Sequence, residues 1–216
     1  DMAQLIRMDK YHDNLPYGVV ISGVLKRGDS RYVMIRKRHA KDLIENAVVA
    51  TDSYSKTERI KHMYDGISCI VETDIRKCIE KLDTSECDAV FVLLEDIKAA
   101  RLHNSFLYRY TIMDYGECVP VHGEGVYAML TKGKKEAVRT ARELSHKSTA
   151  ECFEIEDDII SRVMQNVYVK TCDVYARISS DRLEIYADVT GNRGRIRVNE
   201  RSASTKNDLI ITKIVD

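Results

Sequence analysis

The sequence predicts an α/β protein: a βα domain followed by a small α+β domain at the C-terminal end. Two observations carry this reading. From residue 18 to about 112, short apolar runs alternate with amphipathic segments, as in a sheet with crossover helices. From Lys134 onward, two successive helical patterns precede a series of strand-like runs, which is the α+β order. The composition supports a folded core, with 216 residues, 44% of them hydrophobic and 31% charged. At roughly 100–200 residues per domain, the length suits two domains.

The elements follow in order. Val19-Val20-Ile21 with Val24-Leu25, Ala47–Ala50, Ile67–Val71 and Ala89–Leu94 are short apolar runs bounded by polar residues, hence strands. Between them, Ser55–Tyr64 places Ile60 and Met63 on one stripe, and Asp74–Leu82 does the same with Ile75, Ile79 and Leu82. Spacings of three and four residues predict two surface helices. Asp52-Ser53 and Thr73-Asp74 offer capping oxygens at their starts, so these strand-to-helix turns expose backbone N–H groups suited to anions. Further on, Lys134–Ser145 and Thr149–Met164 read as helices. Val169–Ile178, Leu183–Val189, Arg195–Val198 and Leu209–Val215 read as strands. The polar, glycine-containing Thr131-Lys132-Gly133-Lys134-Lys135 is the expected domain boundary.

Charge excludes some partners. The 34 basic residues balance 34 acidic ones, so a general nucleic-acid coat or membrane-surface protein is not expected. No apolar run approaches the ~20 residues of a membrane helix. Six scattered cysteines show neither C-x-x-C spacing nor a histidine pair, which argues against zinc and, at this chain size, against a disulfide framework. A reducing cytoplasm is the expected setting. No signal peptide is visible at the start, and a beginning at Asp1 instead of Met suggests a fragment, a processed product or the ordered part of a longer polypeptide.

Four features bear on chemistry. Gly123-Glu124-Gly125 is a lone G-x-G and reads as a tight turn into the apolar run that follows. Lys26, Arg27, Arg31, Arg36, Lys37, Arg38, His39 and Lys41 form a basic stretch, read as a solvated segment, with an anion-facing rim as the alternative. Glu151, Glu154, Glu156, Asp157 and Asp158 crowd the start of the Thr149 helix, where they would complement the helix dipole with Thr149 as cap. The six histidines are dispersed, and each reads as structural or exposed.

Collinear blocks then make a family recognisable. Leu15-Pro16-Tyr17-Gly18 with Lys26-Arg27, Val48-Val49-Ala50-Thr51-Asp52-Ser53, Lys81-Leu82-Asp83 followed by Cys87-Asp88-Ala89-Val90, and Val121-His122-Gly123-Glu124-Gly125-Val126 together resemble porphobilinogen deaminase (hydroxymethylbilane synthase). The resemblance implies a periplasmic-binding-protein-like βα domain at 17–107, a return segment of the first domain at 108–131 and a third domain at 134–216, after an N-terminal segment 1–16. The N-terminal third of the family would be missing, and that first domain becomes an expected partner. The implied activity is a transferase step of porphyrin and haem biosynthesis, joining four porphobilinogen units on a dipyrromethane cofactor held by a cysteine thioether. Its ligand would be a carboxylate-bearing pyrrole or another small anion.

Carried over residue by residue, the resemblance implies cofactor-binding roles for Thr51, Ser53, Ser55 and Lys56. The last two occupy the positions of the family's paired arginines. Two further arginine positions fall on Glu72 and on Lys77 or Cys78. Lys26, Arg27, Gly123 and Gly125 would contact substrate. The catalytic aspartate aligns near Lys10, leaving Asp9 and Asp13 as flanking candidates, with Asp1 as another. The cofactor cysteine aligns with Tyr168 counting back from Leu183, or with Val167 counting forward from Leu144, and neither is a cysteine. Two functions follow: a divergent deaminase, or a non-catalytic homologue binding a small anion or a protein.

Overall fold

A computed structural model of the chain describes residues 3–8, 15–40, 46–103, 105–132, 135–202 and 212. The expected strand Leu209–Val215, apart from Thr212, lies outside the described residues, as do the aspartates Asp1, Asp9 and Asp13, and Lys10 and Lys41. The described chain divides into two compact units, Asp29–Cys118 and Asp1–Gly28 with Val119–Asp216.

The Asp29–Cys118 unit is a helix–sheet–helix sandwich. Its strands are β3 (Tyr32–Lys37), β4 (Val48–Thr51), β5 (Ser68–Val71), β6 (Ala89–Leu93) and β7 (Tyr108–Ile112), in the order β5-β4-β6-β3-β7. β4 pairs parallel with both β5 and β6, and β3 is antiparallel to β6 and β7. Every residue of β6 is buried, as expected of a strand covered on both faces. On one face Val33, Ile35, Val90 and Val92 meet Ile79 and Leu82 of α2 (Ile75–Asp83). On the other, Tyr32, Met34, Phe91 and Leu93 meet Ile60 of α1 (Tyr54–Lys61). A short helix α3 (Leu94–Ala99) follows β6.

The other unit holds two antiparallel sheets. β1 (Ala3–Arg7), β8 (Tyr127–Lys132) and β2 (Val19–Val24) form one, with β8 central. β9 (Val169–Ser179), β10 (Arg182–Gly191) and β11 (Gly194–Ser202) form a meander. α4 (Lys135–Leu144) runs against β2 and β8. α5 (Lys147–Val163) lays Ile155, Ile159 and Val163 on Val174, Ala176, Ile185 and Ala187 of the meander.

These units divide the chain differently from 17–107, 108–131 and 134–216. Residues 19–24 hydrogen-bond with β8 as β2, outside the βα unit. Residues 108–112, placed in the return segment, extend the βα sheet by pairing with β3. α5 begins at Lys147 with His146 as its N-cap, so Thr149 is inside the helix and the first turn holds no acid. No helix among the described residues is long and apolar enough to cross a membrane.

Candidate functional site

The chain leaves β4 through α1 to reach β5 on one side, then returns through α2 to β6 on the other. The carboxyl end of β4 is therefore the switch point of the sheet, where α/β folds open a crevice. Thr51, Asp52, Ser53, Ser55 and Lys56 all sit there. Thr51 is buried, and its hydroxyl donates to the Ser53 carbonyl at 3.0 Å. Ser53 caps α1 in an extended conformation, yet its side chain accepts no helix N–H. Its Oγ instead lies 3.1 Å from Ser55 Oγ. The Ser53 carbonyl takes the Thr57 N–H at 3.3 Å. The N–H groups of Tyr54, Ser55 and Lys56, being in the first turn, have no intrahelical acceptor. Two hydroxyls and a helix N-terminus thus meet at one turn.

Lys56 does not add a free cation to them. It is 1% exposed, and its Nζ lies 2.7 Å and 3.0 Å from the two oxygens of the buried Asp52. Lys56 Nζ and Arg59 Cζ each stand 5.9 Å from the Tyr32 ring centroid. The charge expected to face a ligand is spent on an internal pair, since a buried ammonium requires a partner carboxylate. Nor do the other two arginine positions supply charge towards this turn. Glu72 Oε1 accepts the Asp74 N–H at 3.1 Å, Lys77 is exposed on α2, and burial pushes the Cys78 thiol up to about 12.

Lys26, Arg27, Gly123 and Gly125 come together in the other unit. Gly123 and Gly125 have φ of +77° and +73°, so the 122–125 turn is one that glycine alone enters without strain. Gly28 N–H donates to the Gly125 carbonyl at 3.1 Å, and Lys26 is exposed. The side chain of Arg27, expected to contact substrate, turns inward and is 8% exposed. Its Nη1 and Nη2 reach the two Glu156 oxygens at 2.5 Å and 2.9 Å, and its Nε donates to the Glu124 carbonyl at 3.1 Å. Glu156 is fully buried and also accepts the Ala176 N–H at 2.7 Å. Burial alone would raise its pKa, but the Arg27 guanidinium holds it below the ordinary carboxylate value. Glu156 is thus no helix-dipole acid. It is the centre of a network that satisfies the open edge of β9.

His122 completes that network, a role its isolation in the sequence concealed. Nδ1 lies 3.4 Å from Glu156 Oε2 and Nε2 lies 2.8 Å from Asp157 Oδ1, while the ring stacks on Phe153 at 4.9 Å. Burial opposes its protonation, but hydrogen bonds and charge from Asp157 and Glu156 outweigh that and raise its pKa to about 9. The only advance signal was the proximity of His122 to the glycine turn.

Tyr168 stands just ahead of β9, 53% exposed, with the Arg193 guanidinium carbon 5.4 Å from its ring centroid. Val167 is exposed beside it. The nearby Cys172 lies on β9 itself, its thiol pushed up to about 12 by burial and by Asp173 and Asp188. A thioether needs a thiolate as nucleophile, and neither Tyr168 nor Val167 can supply one.

The basic stretch does not form one rim either. Arg31 is bound to Asp29 at 2.9 Å and 2.7 Å, Arg27 is paired with Glu156 as above, and residues 32–37 are strand β3.

Residues 8–140 match the family model described as porphobilinogen deaminase, dipyromethane cofactor binding domain. Among curated proteins, the chain is 24% identical to porphobilinogen deaminase of Chlorobium luteolum over 88% of this chain and 61% of that protein. It is 26% identical to that of Chlorobium limicola, over 89% and 63%, and 23% identical to the probable porphobilinogen deaminase of Picrophilus torridus, over 78% and 61%. It therefore spans about three-fifths of the length of these relatives. Among solved structures it is similar to the substrate binding protein of an amino acid ABC transporter, at 18% identity over 53% of this chain and 51% of that one, with a TM-score of 0.39, too loose a likeness to build on. The family match covers more than half of the sequence in the order of its motifs, and the chain belongs to the porphobilinogen deaminase family.

Proposed function

We propose that this chain serves tetrapyrrole and haem biosynthesis in the cytoplasm as a porphobilinogen deaminase-type (hydroxymethylbilane synthase) transferase, with the β4–α1 turn holding a carboxylate of its pyrrole substrate. The observation that supports this most is the open helix N-terminus with Ser53 and Ser55 at the sheet's switch point, inside the stretch matched by the cofactor-binding model. First-turn N–H groups and hydroxyls are neutral donors that suit a carboxylate at the positive end of a helix. Charge-assisted bonds contribute about 1.5–3 kcal/mol each. A turn whose cation is already paired therefore binds a pyrrole acid more weakly than one with free guanidinium groups.

The dipyrromethane of the family would find carboxylate contacts at this turn but no thiol partner at Tyr168, and no step is assigned to it. The proton-handling acid belongs among Asp1, Asp9 and Asp13, and the family's first domain is the proposed protein partner.

A second reading, binding without turnover, is favoured by Tyr168 or Val167 at the position of the family's cysteine and by Glu72 at the position of one of its arginines. One incubation separates the two. The purified chain is mixed with porphobilinogen, binding is followed by calorimetry, and ammonia and hydroxymethylbilane are assayed. Product formation supports the transferase, heat of binding without product supports the binding-only homologue, and neither heat nor product removes both.

A further inference from the structure

At the opposite end of the βα sheet from the β4–α1 turn lies a cavity of about 500 Å³. Lys37 ends β3, which runs antiparallel to β6, so it emerges where β4 and β6 begin. Six residues define the chemistry here: Lys37, Arg38, His39, Asp83, Leu107 and Tyr108. The Arg38 N–H donates to the Leu107 carbonyl at 2.8 Å, which holds the basic turn against the start of β7. The volume is within the range of small-molecule sites, about 300–1,000 Å³.

The walls combine two properties. The first is unspent positive charge. Lys37 Nζ donates only to neutral groups, the Asp83 carbonyl at 3.0 Å and Ser85 Oγ at 2.8 Å. Among the described residues, no carboxylate pairs with Arg38 or His39, and both are exposed. The one acid, Asp83, accepts the Tyr108 hydroxyl at 2.6 Å, so two fixed cations face a single, already hydrogen-bonded carboxylate. The second property is apolar surface left in water, with Leu107 68% exposed and the adjoining Phe106 85% exposed. A solvated basic loop has no use for such a pair. Together they fit a ligand with an apolar body and one anionic group.

We propose that this cavity is a second ligand site, for a small aromatic or aliphatic monoanion such as a carboxylate, with Arg38 and Lys37 taking the charge and Leu107 and Tyr108 the apolar body. The proposal is independent of the deaminase reading, because neither wall belongs to the β4–α1 turn. Amide-resolved NMR titration of the full chain with 1-naphthoate tests it. Expected are saturable shifts at residues 37–40, 83 and 107–108, with Arg38→Gln and Leu107→Glu each lowering affinity tenfold or more and leaving the circular dichroism spectrum unchanged. The neutral 1-naphthalenemethanol is expected to bind at least tenfold more weakly than 1-naphthoate. Shifts absent at millimolar ligand, shifts confined to other residues, or equal affinity for the neutral analogue would each overturn it.

Discussion

Glu156 has no exposed surface, and a carboxylate in that position persists only because each of its oxygens is answered. Arg27 supplies two N–H donors, Ala176 a third, and His122 a positive charge. Removing one partner of such a pair leaves a bare buried charge, which costs about 3–5 kcal/mol. Arg27→Ala is thus expected to destabilise its unit by that amount, read from urea unfolding by circular dichroism. A loss under 1 kcal/mol would mean that water reaches Glu156.

The same network sets a pH window. The folded pKa of His122, about 9, is above its free value of 6.5, so its contribution is complete below 6.5 and disappears as pH rises through 9. Glu156 is shifted the other way, so its contribution is present above 4.5 and disappears as pH falls through its depressed value. Stability is expected to decline from pH 6.5 to pH 9, and His122→Gln should flatten that decline. An unchanged slope in the variant would show that other groups govern it. None of this was legible in the sequence, because Arg27 and Glu156 are 129 residues apart and a cluster of acids near a helix start has an adequate local explanation.

Among the elements, β4, α1, β5, α2 and β6 were legible, because each apolar run was bounded by polar residues and each helix kept one apolar stripe. β3 was not. Its interior Tyr32-Val33-Met34-Ile35 is fully covered, but Arg31, Arg36 and Lys37 flank it, and the charge at its ends masked the strand between. β7 was hidden by its exposed Arg109 at the sheet edge. The small sheet was illegible for another reason, since β1, β2 and β8 come from distant segments.

Two predictions belong to this scale. A Cβ on Gly23 of β2 would stand 2.5 Å from the Ala141 carbonyl oxygen of α4 and 2.8 Å from the Met129 side chain. The helix would have to move, and overpacking of this kind costs about 1–3 kcal/mol. Gly23→Ala should lower the thermal midpoint accordingly, and an unshifted midpoint would mean that α4 sits less closely on the strand. Ser55→Glu in the first turn of α1 is expected to act in two opposite directions. A negative charge there favours the helix by about 0.3–1 kcal/mol and repels a carboxylate ligand, so the thermal midpoint should hold or rise while porphobilinogen affinity falls at least tenfold. Calorimetry beside a melting curve separates this from unfolding, and unaltered affinity would move the ligand away from the turn.

At the scale of the molecule, the family was legible from the order of short blocks, none decisive alone, whereas the division into units was not. The blocks fall on a strand-to-helix turn at β4–α1 and on a tight turn at Gly123–Gly125. The charges expected there were redirected inward, Lys56 to Asp52 and Arg27 to Glu156. Lys56 and Arg27 are thus internally paired, and neither Tyr168 nor Val167, the two residues that the resemblance aligns with the anchor, is a cysteine. The central claim is that porphobilinogen is held at the β4–α1 turn. Mass spectrometry of the chain mixed with porphobilinogen tests it most directly, recorded once under native conditions and once after denaturation. A complex in the first spectrum is the predicted result, with an increment that survives denaturation marking the transferase and its loss marking the binding-only homologue; no complex in either spectrum would contradict the claim.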